Sequence, residues 1–118
     1  MSLDPTSALR LYGEAWAIAD YERRLETLRK IWADDGLYAD PDAPEGARGP
    51  EALATVIDAQ LKQYPGMSIV SSAPDVLGDR AWFRWSATLG TGETFTGVDF
   101  VEFAPDGRIA RLTGFYEE

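Results

Sequence analysis

The chain has 118 residues, 45% hydrophobic and 26% charged, the balance of one soluble globular domain spanning residues 1–118. It holds no histidine and no cysteine, which excludes a Ser-His-Asp triad, a cysteine nucleophile, an iron–sulfur cluster and a His/Cys zinc site. Eleven basic residues against 20 acidic ones leave a formal charge of −9, which repels nucleic-acid phosphates, and no apolar run is long enough to span a membrane.

Met1-Ser2-Leu3-Asp4-Pro5 lacks the basic and apolar regions of a signal peptide, so a cytoplasmic location is expected. Leu9, Tyr12, Ala15, Trp16 and Ala19 recur at helical spacing, with Thr6 or Ser7 as N-cap. A second helix starts at Asp20 and carries Tyr21, Leu25, Leu28 and Trp32 on one stripe. Ala33-Asp34-Asp35-Gly36 ends it, with Gly36 as the C-terminal cap. Leu37 to Asp40 reads as a short extended piece before Pro41. Residues 41–50 read as a stiff loop, and Pro50 suits the first turn of a third helix bearing Leu53, Val56, Ile57, Leu61 and Tyr64. Strands follow at Met67 to Ala73, Ala81 to Leu89, Phe95 to Phe103 and Arg108 to Tyr116, parted by glycine-containing turns. Helices first and strands afterwards predict an α+β fold, three helices on one face of a curved antiparallel sheet.

Proton chemistry without histidine falls to carboxylates, tyrosines or water. Lysine is scarce, only Lys30 and Lys62, and both are expected on solvent-facing helix positions, which disfavours a Schiff base. Asp99 stands out. In Phe95 to Phe103 the alternation puts Phe95, Gly97, Asp99, Val101 and Phe103 on one apolar face. An ionised carboxylate there costs several kcal/mol unless paired. Two readings stay open: a structural ion pair with an arginine, or a neutral carboxylic acid that donates a hydrogen bond into a pocket. Asp40, at the end of a short apolar run, is the second candidate, alongside its plain reading as a turn aspartate. Asp40, Asp42 and Glu45 lack the spacing of a calcium loop, and no metal site is expected.

Several short motifs together resemble the nuclear transport factor 2-like superfamily. They are Ile31-Trp32-Ala33-Asp34-Asp35, Asp40-Pro41, Gly49-Pro50-Glu51-Ala52-Leu53, Gly97-Val98-Asp99-Phe100, Asp106-Gly107-Arg108-Ile109 and Gly114-Phe115-Tyr116. Within it the chain is similar to ketosteroid isomerases and SnoaL-type polyketide cyclases. The resemblance implies a cone of three helices and a curved sheet around a mostly apolar pocket, commonly in a homodimer. It places Asp40 where those isomerases keep a general base and Asp99 where they keep a protonated aspartic acid. Their oxyanion-hole tyrosine falls on Trp16, an indole donor and weaker acid, with Tyr12 and Tyr116 as phenols of different geometry. The expected pocket lining is Tyr12, Tyr38, Trp82, Arg84, Phe95, Val101, Leu112 and Tyr116.

Arg84 also resembles the arginine of limonene-type epoxide hydrolases, but Ser86 and Gly114 stand where both carboxylates belong, which argues against that activity. The resemblance turns Trp82, Arg84 and Ser86 toward the pocket, whereas apolar alternation turns Phe83 and Trp85 inward. We favour the former here, which leaves Phe83, Trp85 and Phe100 for a dimer surface and allows Arg84 to pair with Asp99. The expected function is isomerase- or cyclase-like acid/base chemistry on a small apolar carbonyl compound, with no cofactor. The alternative is a non-catalytic small-molecule-binding or dimerisation domain of the same fold.

Overall fold

The computed structural model describes residues 3–117. Its elements are α1 (Pro5–Ala17), α2 (Tyr21–Ile31), β1 (Trp32–Asp40), β2 (Ala43–Arg48), α3 (Pro50–Gln63), β3 (Ser68–Ser71), β4 (Asp75–Leu77), β5 (Arg80–Thr88), β6 (Thr94–Phe103) and β7 (Ile109–Glu117). Three helices pack on an open seven-stranded sheet of order β2-β1-β7-β6-β5-β3, with β4 continuing the edge along β5. The expected α+β architecture holds. Every pair is antiparallel except β1 with β7, which makes the sheet mixed. No helix among the described residues is long and apolar enough to cross a membrane.

The helix ends follow side-chain capping. Asp4, not Thr6 or Ser7, caps α1: its carboxylate accepts the Ser7 amide at 2.9 Å, and Pro5 occupies the first turn, where no amide hydrogen is needed. The helix stops at Ala17, so Ala19 leaves the apolar stripe and is exposed. Asp20 caps α2 as expected, accepting the Arg23 amide at 2.9 Å. Arg24 is buried and donates to the Ala15 and Ile18 carbonyls at 3.3 and 2.5 Å. It satisfies carbonyls freed where α1 ends and ties α1 to α2.

Three further expectations fail between residues 32 and 50. The second helix ends at Ile31, and Trp32 already belongs to β1. Gly36 does not cap a helix. The Trp32 indole folds back and donates to the Gly36 carbonyl at 3.0 Å, and a Cβ at Gly36 would lie 2.5 Å from that indole nitrogen. Pairing with β7 slips between Trp32 and Leu37, so Asp34 and Asp35 bulge outward. Residues 43–48, expected as loop, pair with β1 as β2. Pro44 is tolerated there because β2 is an edge strand. At the other edge β3 covers only Ser68–Ser71 and β4 is an added strand; Ser72 bridges the break, its amide donating to the Arg84 carbonyl at 2.8 Å.

The core lies between helices and sheet. Ala8, Tyr12 and Ala15 of α1, Leu25, Leu28 and Ile31 of α2, and Leu53, Ala54 and Ile57 of α3 meet Val101, Phe103, Ile109 and Leu112. Burying each large aliphatic side chain contributes about 1.5–3 kcal/mol. Tyr12 stacks on Trp32 with ring centroids 6.1 Å apart, and this packing fixes the wall of α1 that faces the sheet.

Candidate functional site

One end of the helix–sheet layer stays open. A cavity of about 430 Å³ lies between α1, the end of α3, the 67–74 segment and the concave sheet face. Aromatic side chains on its walls include Tyr12, Trp16, Tyr38, Phe83, Trp85 and Phe95. At its mouth Tyr64, Phe95, Tyr116 and Trp85 form a chain of edge-on contacts with centroids 5.8–6.2 Å apart. Tyr116 donates to an Asp42 carboxylate oxygen at 2.5 Å; burial first and Asp42 next hold its phenol well above the ordinary range.

Asp40 and Asp99 both face this cavity. They lie on β1 and β6, the two neighbours of β7, and flank Gly114. Strand spacing sets their backbones about 10 Å apart. Glycine leaves room between them: a Cβ at Gly114 would sit 2.8 Å from Asp99 Oδ1, which would have to shift, and 3.6 Å from the Asp40 Cβ.

Asp40 is half-buried at the turn from β1 into β2. Its Oδ1 accepts the Asp42 and Ala43 amides, each at 2.8 Å, which closes the turn. Its Oδ2 accepts the Tyr38 hydroxyl and, at 3.0 Å, the Gln60 side-chain amide from α3. Four donors on two oxygens is the acceptor-only pattern of a carboxylate. The Tyr38 phenol is held well above its ordinary range by burial first, then by Tyr12 and Asp40.

Asp99 has the opposite surroundings. It is buried, and among the described residues it has no salt bridge and one hydrogen bond, from the Trp85 indole, Nε1 to Oδ1 at 3.1 Å. Burial pushes its carboxyl up from 3.8 to about 7, Asp40 adds to the rise, and the Trp85 hydrogen bond works against it. Asp99 in turn helps hold the buried Tyr12 phenol well above its ordinary range, where burial is the larger cause.

The expected site residues divide three ways. Asp40, Asp99, Trp16, Tyr12, Tyr38, Phe95 and Tyr116 all line the cavity. Val101 and Leu112 are buried in the core and do not line it. Trp82 and Arg84 lie on the opposite sheet face, which corrects the favoured orientation of β5. Phe83, Trp85 and Ala87 point inward instead, as apolar alternation alone indicates. The Arg84 guanidinium sits 5.4 Å from the Trp82 ring and 3.6 Å from Glu117, so it does not neutralise Asp99. Phe83 and Trp85 are therefore unavailable as a dimer surface.

Two functional neighbours escape the sequence reading. Gln60 follows the spacing of α3 but carries no local sign of meeting Asp40. Trp85 does leave a trace, since Gly97 faces it across the β5–β6 pair. A Cβ at Gly97 would lie 2.2 Å from both the Phe115 carbonyl oxygen and the Trp85 ring, so glycine lets β6 lie close to β7 and leaves the indole room to cross β6 and reach Asp99.

The SnoaL-like domain family matches residues 9–112. Among solved structures, a SnoaL-like-family protein from Agrobacterium tumefaciens, provisionally named an isomerase, is 28% identical with a TM-score of 0.88, over 97% of both chains. A protein from Kribbella flavida provisionally named a ketosteroid isomerase is 25% identical with a TM-score of 0.74, over 97% of this chain and 78% of that one. A SnoaL-like polyketide cyclase, also provisionally named, from Jannaschia is 16% identical with a TM-score of 0.76, over 99% and 91%, and shows the shared fold. Comparison with curated proteins gives no match. With a family match over most of its length and the open cone of helices and sheet that family is built on, the chain belongs to the SnoaL-like family of the nuclear transport factor 2-like fold.

Proposed function

We propose that the chain is an isomerase- or cyclase-type enzyme acting on a small, mainly apolar carbonyl compound, without metal or organic cofactor. The observation that carries the reading is the pair of carboxyl groups with opposite surroundings in one aromatic cavity. Asp99, largely neutral below about pH 7, donates a hydrogen bond to the carbonyl oxygen and strengthens it as negative charge develops there. Asp40 takes the proton from the carbon next to the carbonyl and returns it to a second carbon, so the compound isomerises with no net proton change. For that step Tyr38 or Gln60 must free one position on Oδ2, since Oδ1 is held by the turn. Tyr12 and Trp16, on the α1 wall, are the further donors toward the developing oxyanion.

The names of the Agrobacterium and Kribbella proteins agree with this class of reaction. The test is deuterium incorporation from solvent into a panel of cyclic enones first shown by titration to bind. Asp40→Asn should abolish exchange and leave binding largely intact. Asp99→Asn still donates, so it should cost less than Asp99→Leu. A ligand that fills the cavity of the native chain and exchanges no faster than in buffer makes this a binding domain instead.

A further inference from the structure

We propose that Trp85 is a positioning residue that fixes which oxygen of Asp99 bears the acid's proton: its indole holds Oδ1, so Oδ2 is the donor presented to the cavity. This deepens the acid role given to Asp99 above and rests on it. An indole N–H donates and never accepts, so Oδ1 accepts from it. In a neutral carboxylic acid the carbonyl oxygen is the better acceptor, which leaves the hydroxyl at Oδ2. Oδ2 has no partner among the described residues, yet no buried side-chain oxygen there lacks one, so Oδ2 must reach open space. Asp99 borders the cavity, and that is the space available to it.

The indole is held from both sides. Gly97 supplies the flat seat beneath the ring, and Tyr116 packs its edge at 5.8 Å and 75°. Gly114 leaves the room that Oδ1 occupies. Gly97 of β6 and Gly114 and Tyr116 of β7 thus border the Trp85–Asp99 hydrogen bond.

The same bond stabilises the ionised form and keeps the acid exchangeable near neutral pH. Asp40 of β1 is the titratable group that acts on Asp99, and Asp99 in turn raises Tyr12 of α1 and Tyr38 of β1. Arg10 and Glu14 of α1, Tyr64 after α3 and Tyr116 of β7 line the same cavity, and Arg84 is on the far face.

Nuclear magnetic resonance on the intact chain tests this without turnover. The Trp85 indole N–H signal, one of four such signals, should move with a midpoint near the Asp99 value of about 7. Asp99→Asn should remove that movement. Trp85→Phe keeps a ring on Gly97 but loses the donor, so the Asp99 carboxyl midpoint should rise by about one pH unit. An indole signal that stays still while Asp99 titrates, an Asp99 that does not titrate near neutrality, or an unchanged midpoint in Trp85→Phe overturns the proposal. If Trp85→Phe does not fold, the native and Asp99→Asn spectra decide. Deuterium exchange separates the two claims: shifts as described in a chain that exchanges no substrate hydrogen uphold the positioning role and remove the enzymatic one.

Discussion

Replacing Asp99 by asparagine should flatten one component of the chain's stability–pH curve. The folded carboxyl has a value of about 7 against 3.8 for an ordinary aspartate, so the folded state binds the proton more tightly than the unfolded state. Stability must then fall as pH rises from the unfolded value to the folded one, and stay level above it. Each unit is worth about 1.4 kcal/mol, so the full loss is about 4 kcal/mol, and about 2 kcal/mol of it falls between about pH 5 and 7. Asparagine is nearly isosteric, still accepts from the Trp85 indole, and carries no charge at any pH. The difference in unfolding free energy between native and variant should therefore shift by about 3 kcal/mol in the variant's favour between about pH 5 and 8. Urea titrations at the two pH values read this directly, and carboxylates that do not interact with Asp99 cancel in the difference. A difference that does not change with pH would refute burial as the force acting on Asp99.

Arg84→Ala should cost under about 0.5 kcal/mol in the same titration, because its side chain is 63% exposed and its Glu117 contact lies at the surface. A loss of several kcal/mol would mean it neutralises a buried acid after all. Gly114→Ala should cost about 1–3 kcal/mol, since the new methyl group overlaps Asp99 Oδ1 and one of them must move. A neutral result would show that the two aspartates do not crowd that glycine. We propose that the outer sheet face joins two copies, because Phe100 and Phe115 are about half exposed there and pack edge-on beside Trp82. Sedimentation at micromolar concentration should give a dimer, and Phe100→Asp a monomer; a native monomer contradicts it.

The inner face of β6 was legible from alternation alone, because a strand's period of two is rigid once one face is buried. Asp99 was recognisable as a misplaced acid for that reason. On β5 the same alternation put Phe83 and Trp85 inside, and the family likeness that turned Arg84 inward was the weaker guide. Charge explains the outcome: the long Arg84 side chain keeps its guanidinium in water at no desolvation cost. The region around Asp40 was less legible. Its strand begins inside an apparent helix stripe because Trp32 serves both α2 and the sheet, and β2 hides in a segment rich in proline and glycine. Its hydrogen bond from Gln60 spans 20 residues of sequence, a tertiary contact with no local pattern.

Carbon-detected titration of aspartate carboxyl groups tests the central claim most directly, that a neutral acid and a carboxylate share one cavity. At about pH 6, above the range of ordinary aspartates, one aspartate carboxyl should still be protonated, and Asp99→Asn should remove its signal. A native chain with every aspartate ionised at that pH would contradict the account.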